Sequence, residues 1–137
     1  MAAKPEARLV FAAQTVRENA YAPYSGFKVG AALLADDGQV YAGCNVENAA
    51  YPEGQCAEAS AISAMIAGGG CKVQQIVIVK KGLGKIAPCG GCRQKLNEFA
   101  ESDLPIYVQG ADGALQCYSL GELLPVAFGK KHLEEKT

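Results

Sequence analysis

The sequence predicts a three-layer α/β/α sandwich built on a mixed five-stranded sheet. Two strand-like runs flank an Asp-Gly turn and so predict an antiparallel hairpin, and helical and strand-like segments alternate after it. The chain has 137 residues, half of them hydrophobic, which suits one domain with a sizeable core. We therefore expect a single domain over residues 1–137 that ends in a polar tail over about 129–137.

The first half of the chain is predicted to hold two helices and the hairpin. Apolar residues over about 5–19 recur at helical spacing, which predicts an amphipathic helix lying across one face of the sheet. The hairpin strands are expected at 28–35 and 39–46. After a loop over 48–55, small and apolar residues over about 56–67 predict a second helix, which three glycines end.

The second half continues the alternation. A buried strand is predicted at 75–80 and a third helix over about 88–100. Short strands at 105–109 and 115–118 flank a glycine-containing turn, so we expect the second to run antiparallel to the first. Ser119 can cap a short helix that Pro125 ends.

Charge and hydropathy exclude several classes of function. The 13 Lys and Arg residues balance 14 Asp and Glu residues without a dense basic run, so no nucleic-acid-binding surface is indicated. No window reaches the length of a membrane span, and charges at Lys4, Glu6 and Arg8 argue against a signal peptide. We therefore expect a soluble, cytoplasmic protein.

The cysteines carry the strongest chemical signal. With no export signal, thiols and metal ligation are better expectations for the 6 cysteines than disulfides. Cys56, Cys89 and Cys92 stand at two predicted helix starts and can form three corners of a tetrahedral zinc site. A fourth ligand at Cys71 would close that site to water, although the spacing gives no reason to expect one. The remaining cysteines fall in strand-like runs that suit the core.

Glu58 stands two positions after the first of these cysteines. Zinc lowers the pKa of a bound water, and a carboxylate beside the metal can take that proton and later pass it to a leaving group. The alternative is a solvated residue in the first turn of a helix. The combination of this glutamate with three cysteines is that of zinc deaminases in general.

Five segments give the chain a more specific resemblance. They cover residues 24–32, 43–48, 56–58, 88–94 and 123–128, which extend over nearly the whole chain. In these segments the sequence resembles cytidine deaminases of the small, homotetrameric, three-cysteine kind. The resemblance implies one Zn²⁺ per subunit and hydrolytic release of ammonia from cytidine or deoxycytidine to give uridine or deoxyuridine.

The resemblance also implies roles for substrate-binding residues. Phe27 is expected to stack on the pyrimidine, and Asn45 and Glu47 to hold a ribose hydroxyl, for which an amide and a carboxylate are suited. Considered without the family, Phe27 is better explained as a core aromatic. Asn45 and Glu47 could also be ordinary polar residues at a strand end, but their chemistry supports the role that the resemblance implies.

Further positions of the resemblance lie at helix starts and at the subunit boundary. The backbone amides of Ala57 and Cys89 are expected to hydrogen-bond the base or its hydrated intermediate. Tyr51 resembles a residue at the edge of the active site and at a subunit contact, or is a plain loop tyrosine. Phe128 resembles the aromatic that a neighbouring subunit adds to the pocket, so oligomerisation would be a condition of activity.

One position departs from the family pattern. The family commonly has arginine after Cys-Ala-Glu, where this chain has Ala59. Three thiolates around Zn²⁺ leave a net charge near −1, which the arginine offsets and which the helix N-termini can offset in part. Arg93 is a second possible source of positive charge, or a surface residue. We hypothesise that Ala59 leaves the zinc centre more electron-rich than usual.

Three rival functions are less well supported. Deamination of a related cytosine compound such as blasticidin S is disfavoured by the ribose-binding segment at 45–48. A polynucleotide deaminase is disfavoured by the charge balance and the short loops. A structural zinc protein, or a binding module without turnover, remains open because of Ala59 and is disfavoured by Glu58.

Overall fold

The computed structural model describes residues 4–134. The elements follow one another in this order: α1 (Ala7–Arg17), β1 (Val29–Ala35), β2 (Val40–Cys44), a 3₁₀ turn (Tyr51–Glu53), α2 (Ala57–Ala67), β3 (Val73–Lys80), α3 (Gly90–Phe99), β4 (Pro105–Gln109), β5 (Leu115–Ser119), α4 (Leu120–Leu123) and α5 (Lys130–Glu134). No helix within this part of the chain is long and apolar enough to cross a membrane.

The five strands form one sheet in the order β2-β1-β3-β4-β5. Strand β1 pairs antiparallel with both β2 and β3, whereas β3 and β4 pair in parallel. The parallel pair needs a crossover connection, and α3 provides it. Strand β5 returns antiparallel to β4, as the turn between them predicts. The predicted mixed five-stranded sheet is confirmed.

Helices cover both faces of the sheet. On one face, Leu9 and Ala13 of α1 pack with Ala32 and Leu34 of β1. The alternate residues of β1 point the other way and meet α2, α3 and α4, because side chains along a strand alternate between faces. Two separate apolar layers therefore enclose the sheet, which confirms the three-layer architecture.

The ends of several elements differ from the predicted ones. Strand β3 begins at Val73, two residues before the predicted start, because it continues pairing with the end of β1 across a register shift. Within the predicted polar tail, α5 forms over Lys130–Glu134 with every residue exposed. Residues 135–137 of that tail lie outside the described residues. Ser119 caps α4 by a reciprocal pair of bonds with Glu122, as expected of a capping box.

Gly43 fixes how closely α2 approaches the sheet. A Cβ atom at this position of β2 would lie 2.4 Å from the backbone nitrogen of Ala61 and 2.6 Å from Cβ of Ser60. The hydroxyl of Ser60 also donates to the carbonyl of Cys44 at 2.9 Å. The helix backbone thus rests directly on β2, and any side chain there must push α2 away.

Gly43→Ala should therefore lower the free energy of unfolding by about 1–3 kcal/mol through overpacking. Urea unfolding of the zinc-loaded protein measures the change. Gly90→Ala is the matched control, because a Cβ at Gly90 meets nothing within 4 Å. Equal stability of the two variants would contradict the close approach of α2.

Candidate metal centre and active site

Two cysteines stand at equivalent positions in front of α2 and α3. Cys56 and Cys89 are the N-cap residues, both with extended backbone, and their carbonyl groups accept bonds from the backbone amides of Ser60 and Arg93. N-terminal helix ends carry partial positive charge, which favours thiolates. Cys92 is the third residue of α3 and is 1% exposed.

The three sulfur atoms converge. All lie within 4.8 Å of one another, and Sγ of Cys56 is 3.8 Å from Sγ of Cys89. Zn–S bonds of about 2.3 Å in a tetrahedron place two sulfurs about 3.8 Å apart, so these thiols suit zinc. Cys71 follows the opposite end of α2 and is exposed. It does not belong to the cluster, so the described residues supply three ligands and leave the fourth position open.

Glu58 lies in the first turn of α2, directly behind the cluster. It is 4% exposed, which rules out the solvated alternative. Burial, with a smaller contribution from the charge of Cys56, raises the pKa of its carboxyl to about 6. Among the thiols, hydrogen bonding with Cys92 lowers the pKa of Cys56, and the same bond raises the pKa of Cys92. A buried carboxyl beside a thiolate cluster can exchange protons at the metal.

The loop before β1 and the loop after β2 form the wall of a neighbouring cleft. Glu47 accepts hydrogen bonds from the backbone amides of Tyr24 and Ser25, at 2.9 and 3.1 Å, and from the Ser25 hydroxyl. The Ser25 hydroxyl is the main reason that the pKa of Glu47 is lowered. These residues line a cleft of about 340 Å³ with Tyr51, whose ring meets that of Tyr24 edge to face at 6.1 Å.

Asn45 holds Phe27 at the same loop. Its Oδ1 accepts from the backbone amide of Val29 at 2.9 Å, and its Nδ2 donates to the carbonyl of Phe27 at 2.8 Å. Phe27 is 45% exposed, with the ammonium of Lys80 5.5 Å from the ring centroid. The interpretation of Phe27 as a core aromatic is therefore wrong. One N–H and one lone pair of the amide remain available to a ligand.

Ser25 and Gly26 of this loop were not singled out in the sequence. Ser25 donates to Glu47 and also accepts from the backbone amide of Phe27, so it links the carboxylate to the aromatic. Gly26 has a positive φ of 70°, which allows the tight turn between them. The Ser-Gly pair before Phe27 indicated a turn in the sequence. Only the folded loop shows that this turn links Glu47 to Phe27.

Arg93 turns away from the sulfur atoms. Its Nε donates to the carbonyl of Pro88 and its Nη1 to the carbonyl of Leu123, both at 2.9 Å. The guanidinium thus joins the loop before α3 to α4, and it is neither a thiolate partner nor a simple surface charge. Ala59 is buried, 8% exposed, and offers no polar group to the cluster.

Phe128 lines neither the Glu47 cleft nor the cleft that contains Cys56 and Cys92. Its carbonyl accepts from Gln94 at 2.8 Å and from Asn97 at 3.0 Å, which fixes the C-terminal segment on α3. The ring is 59% exposed and stacks on His132 at 5.2 Å. Within its own chain this aromatic reaches neither part of the site.

Comparison with known proteins agrees with this geometry. A family model described as the cytidine and deoxycytidylate deaminase zinc-binding region matches residues 4–108. The chain belongs to this deaminase family. A cytidine deaminase from Sporosarcina psychrophila is 40% identical over 126 residues, which are 92% of this chain and 93% of that protein. One from Mycobacterium tuberculosis is 44% identical over 110 residues, 80% of this chain and 79% of its own length.

Solved structures of the family share the fold. The crystal structure of cytidine deaminase from Burkholderia pseudomallei superposes with a TM-score of 0.83 at 44% identity, covering 91% of this chain and all of that one. The cytidine deaminase from Mycobacterium tuberculosis gives a TM-score of 0.79 at 41% identity, covering 90% of this chain and 96% of that one. The family is a zinc-binding one, and the three-cysteine cluster is compatible with one zinc ion.

Removal of any one of the three clustered thiols should abolish stable zinc binding. Cys56→Ala, Cys89→Ala and Cys92→Ala each leave two thiolate ligands, and metal analysis after dialysis against a chelator should show zinc in the unmodified chain and in none of these three variants. Cys71→Ala is the control and should keep its zinc. Equal loss of zinc from the Cys71 variant would show that the site has a fourth cysteine ligand.

Proposed function

We propose that the chain catalyses hydrolytic deamination of free cytidine and deoxycytidine to uridine and deoxyuridine with release of ammonia, as in pyrimidine salvage. The observation that carries this proposal is the convergence of three thiols and the buried Glu58 at two helix N-termini, in a chain of the deaminase family. The related cytidine deaminases support the choice of substrate.

Glu58 is the proposed proton carrier. Zinc held by Cys56, Cys89 and Cys92 would supply a water activated at neutral pH. Glu58 takes one proton of the attacking water at its carboxylate and gives it to the ring nitrogen next to the reacting carbon. It then takes the second proton of the same oxygen and gives it to the departing amine, which leaves as ammonia. Its burial keeps bulk water away from these transfers.

Backbone amides at the helix starts are proposed to orient the base. Ala57 is the first residue of α2, where an amide has no partner within the helix, and Cys89 is the N-cap of α3. Amides at this position suit an electron-rich oxygen of the base or of its hydrated form, because the helix dipole adds to their hydrogen bonds.

The loop around Phe27 is proposed to bind the nucleoside. The half-exposed ring offers a face for stacking on the pyrimidine. Asn45 and Glu47 would share a ribose hydroxyl, the amide donating and the carboxylate accepting, while their other contacts keep them in place. Glu47 remains ionised through its bonds with Ser25, which suits an acceptor.

We further propose a homotetramer acting in the cytoplasm, with one zinc per subunit and no nucleic-acid partner. Phe128 is exposed and lines neither cleft of its own chain, so it would complete the pocket of a neighbour. Tyr51, 76% exposed at the edge of the cleft, would stand at the same boundary. Each active site would then depend on two chains.

Glu58→Gln should retain zinc and lose turnover by about 10²- to 10⁴-fold, because the amide cannot carry protons. The measurement is the ultraviolet change on mixing zinc-loaded protein with cytidine. Glu53→Gln, an exposed glutamate of the 3₁₀ turn, is the matched control and should turn over normally. If the unmodified, zinc-loaded chain left cytidine unchanged, the proposal would give way to another amine substrate or to a binding role.

Phe128→Ala should be inactive alone. Its activity should be restored in mixed oligomers with a second variant that is inactive because it lacks Glu58. Co-expression with Glu58→Gln produces mixed oligomers, in which some sites combine an intact Glu58 with Phe128 from the neighbouring chain. We expect activity well above that of either variant. Mixed oligomers as inactive as the parents would argue that Phe128 acts within its own chain, and full activity of Phe128→Ala alone would show that it has no role.

A further inference from the structure

A three-thiolate zinc centre needs positive charge beside it. Three thiolates and one Zn²⁺ carry a net charge of −1, and the free energy of forming such a centre improves when a cation lies near the sulfur atoms. Ala59 carries no charge, and the guanidinium of Arg93 donates to two backbone carbonyls. The inference below rests on the zinc centre of the proposed function.

Lys95 lies one helical turn beyond Cys92, on the same side of α3. A Cβ built on Gly91 would be 3.7 Å from Nζ of Lys95 and 4.0 Å from Sγ of Cys89, so the ammonium and the thiol flank the same point in space. The ammonium therefore lies beside the thiols without belonging to the ligand set.

Lys95 shares a cleft with two of the three thiols. Cys56, Cys92, Ala59 and Lys95 line one cleft of about 860 Å³, in which the methyl group of Ala59 leaves room for the lysine chain. No carboxylate of residues 4–134 lies within ion-pair distance of Lys95. The nearest acidic residue along α3, Glu98, pairs with Lys130 at 3.7 Å.

We propose that Lys95 is a positioning residue for the metal centre, supplying from α3 the positive charge that stabilises the three thiolates where Ala59 supplies none. The lysine neither binds the metal nor touches the substrate. It acts through the field of its ammonium on the sulfur atoms, and the same field makes the zinc less electron-rich than the Ala59 substitution alone implies. On this proposal, Lys95 offsets part of the extra electron density that Ala59 was expected to leave at the zinc centre.

Zinc affinity tests this role without any need for turnover. The full-length protein is titrated against a chromogenic zinc chelator at low and at high ionic strength. Lys95→Met, which keeps the length of the side chain and removes its charge, should weaken zinc binding about 3- to 10-fold at low salt. The difference should shrink at high salt, because the ammonium is exposed and its field is screened.

Three further variants separate charge from packing. Lys95→Arg keeps the charge and should bind zinc like the unmodified chain. Lys72→Met is the matched control, since Lys72 follows the far end of α2, and it should leave the affinity unchanged. Lys95→Met combined with Ala59→Arg should recover affinity, because the cation returns from α2.

Equal zinc affinities of Lys95→Met and Lys72→Met at low salt would overturn the proposal. So would an affinity of Lys95→Arg as weak as that of Lys95→Met, since the charge would then not be the cause. A chain whose zinc affinity depends on Lys95 but which leaves cytidine unchanged would refute the proposed function and support this inference. The two failures are therefore distinguishable.

Discussion

The meeting of two helix N-termini is the constraint on which the rest of this molecule depends. Cys56 and Cys89 are separated by 33 positions, yet their sulfur atoms are 3.8 Å apart because α2 and α3 begin side by side on the same face of the sheet. Both helix ends direct unpaired amides and partial positive charge at this point. The same geometry therefore assembles the thiol cluster, places partial positive charge beside the thiols of Cys56 and Cys89, and leaves backbone amides without helical partners at this point.

Contacts far from the sulfur atoms hold this geometry. Gly43 lets the backbone of α2 rest on β2, and the Ser60 hydroxyl ties the helix to the carbonyl of Cys44. On the other side, Arg93 joins the loop before α3 to α4 through two carbonyls. A shift of either helix by about an ångström would separate the thiols. Residues that take no part in the chemistry therefore help to keep the thiols in place.

In the neighbouring cleft, polar side chains hold the loop backbone and keep free hydrogen-bonding groups. Asn45 uses half of its amide to fix Phe27 and Val29, and Glu47 is held by three bonds to the Tyr24–Ser25 segment. If the cleft binds a nucleoside as proposed, groups fixed in this way would lose less entropy on binding. The aromatic ring stays half exposed because its backbone is pinned at the loop.

The mixed sheet, the hairpin and the short helix capped by Ser119 could be predicted from the sequence alone, since they follow from local periodicity and turn chemistry. The sequence also identified the zinc-type cysteines and Glu58, because their spacing and residue types are chemical requirements that a linear pattern can display. The positions of several side chains became known only from the tertiary structure. Phe27 lies outside the core, Arg93 donates to carbonyl groups, Cys71 lies away from the thiol cluster, and Lys95 lies beside it. Such positions depend on distances between segments remote in sequence, and a side chain with several possible partners takes the one that folding brings within reach.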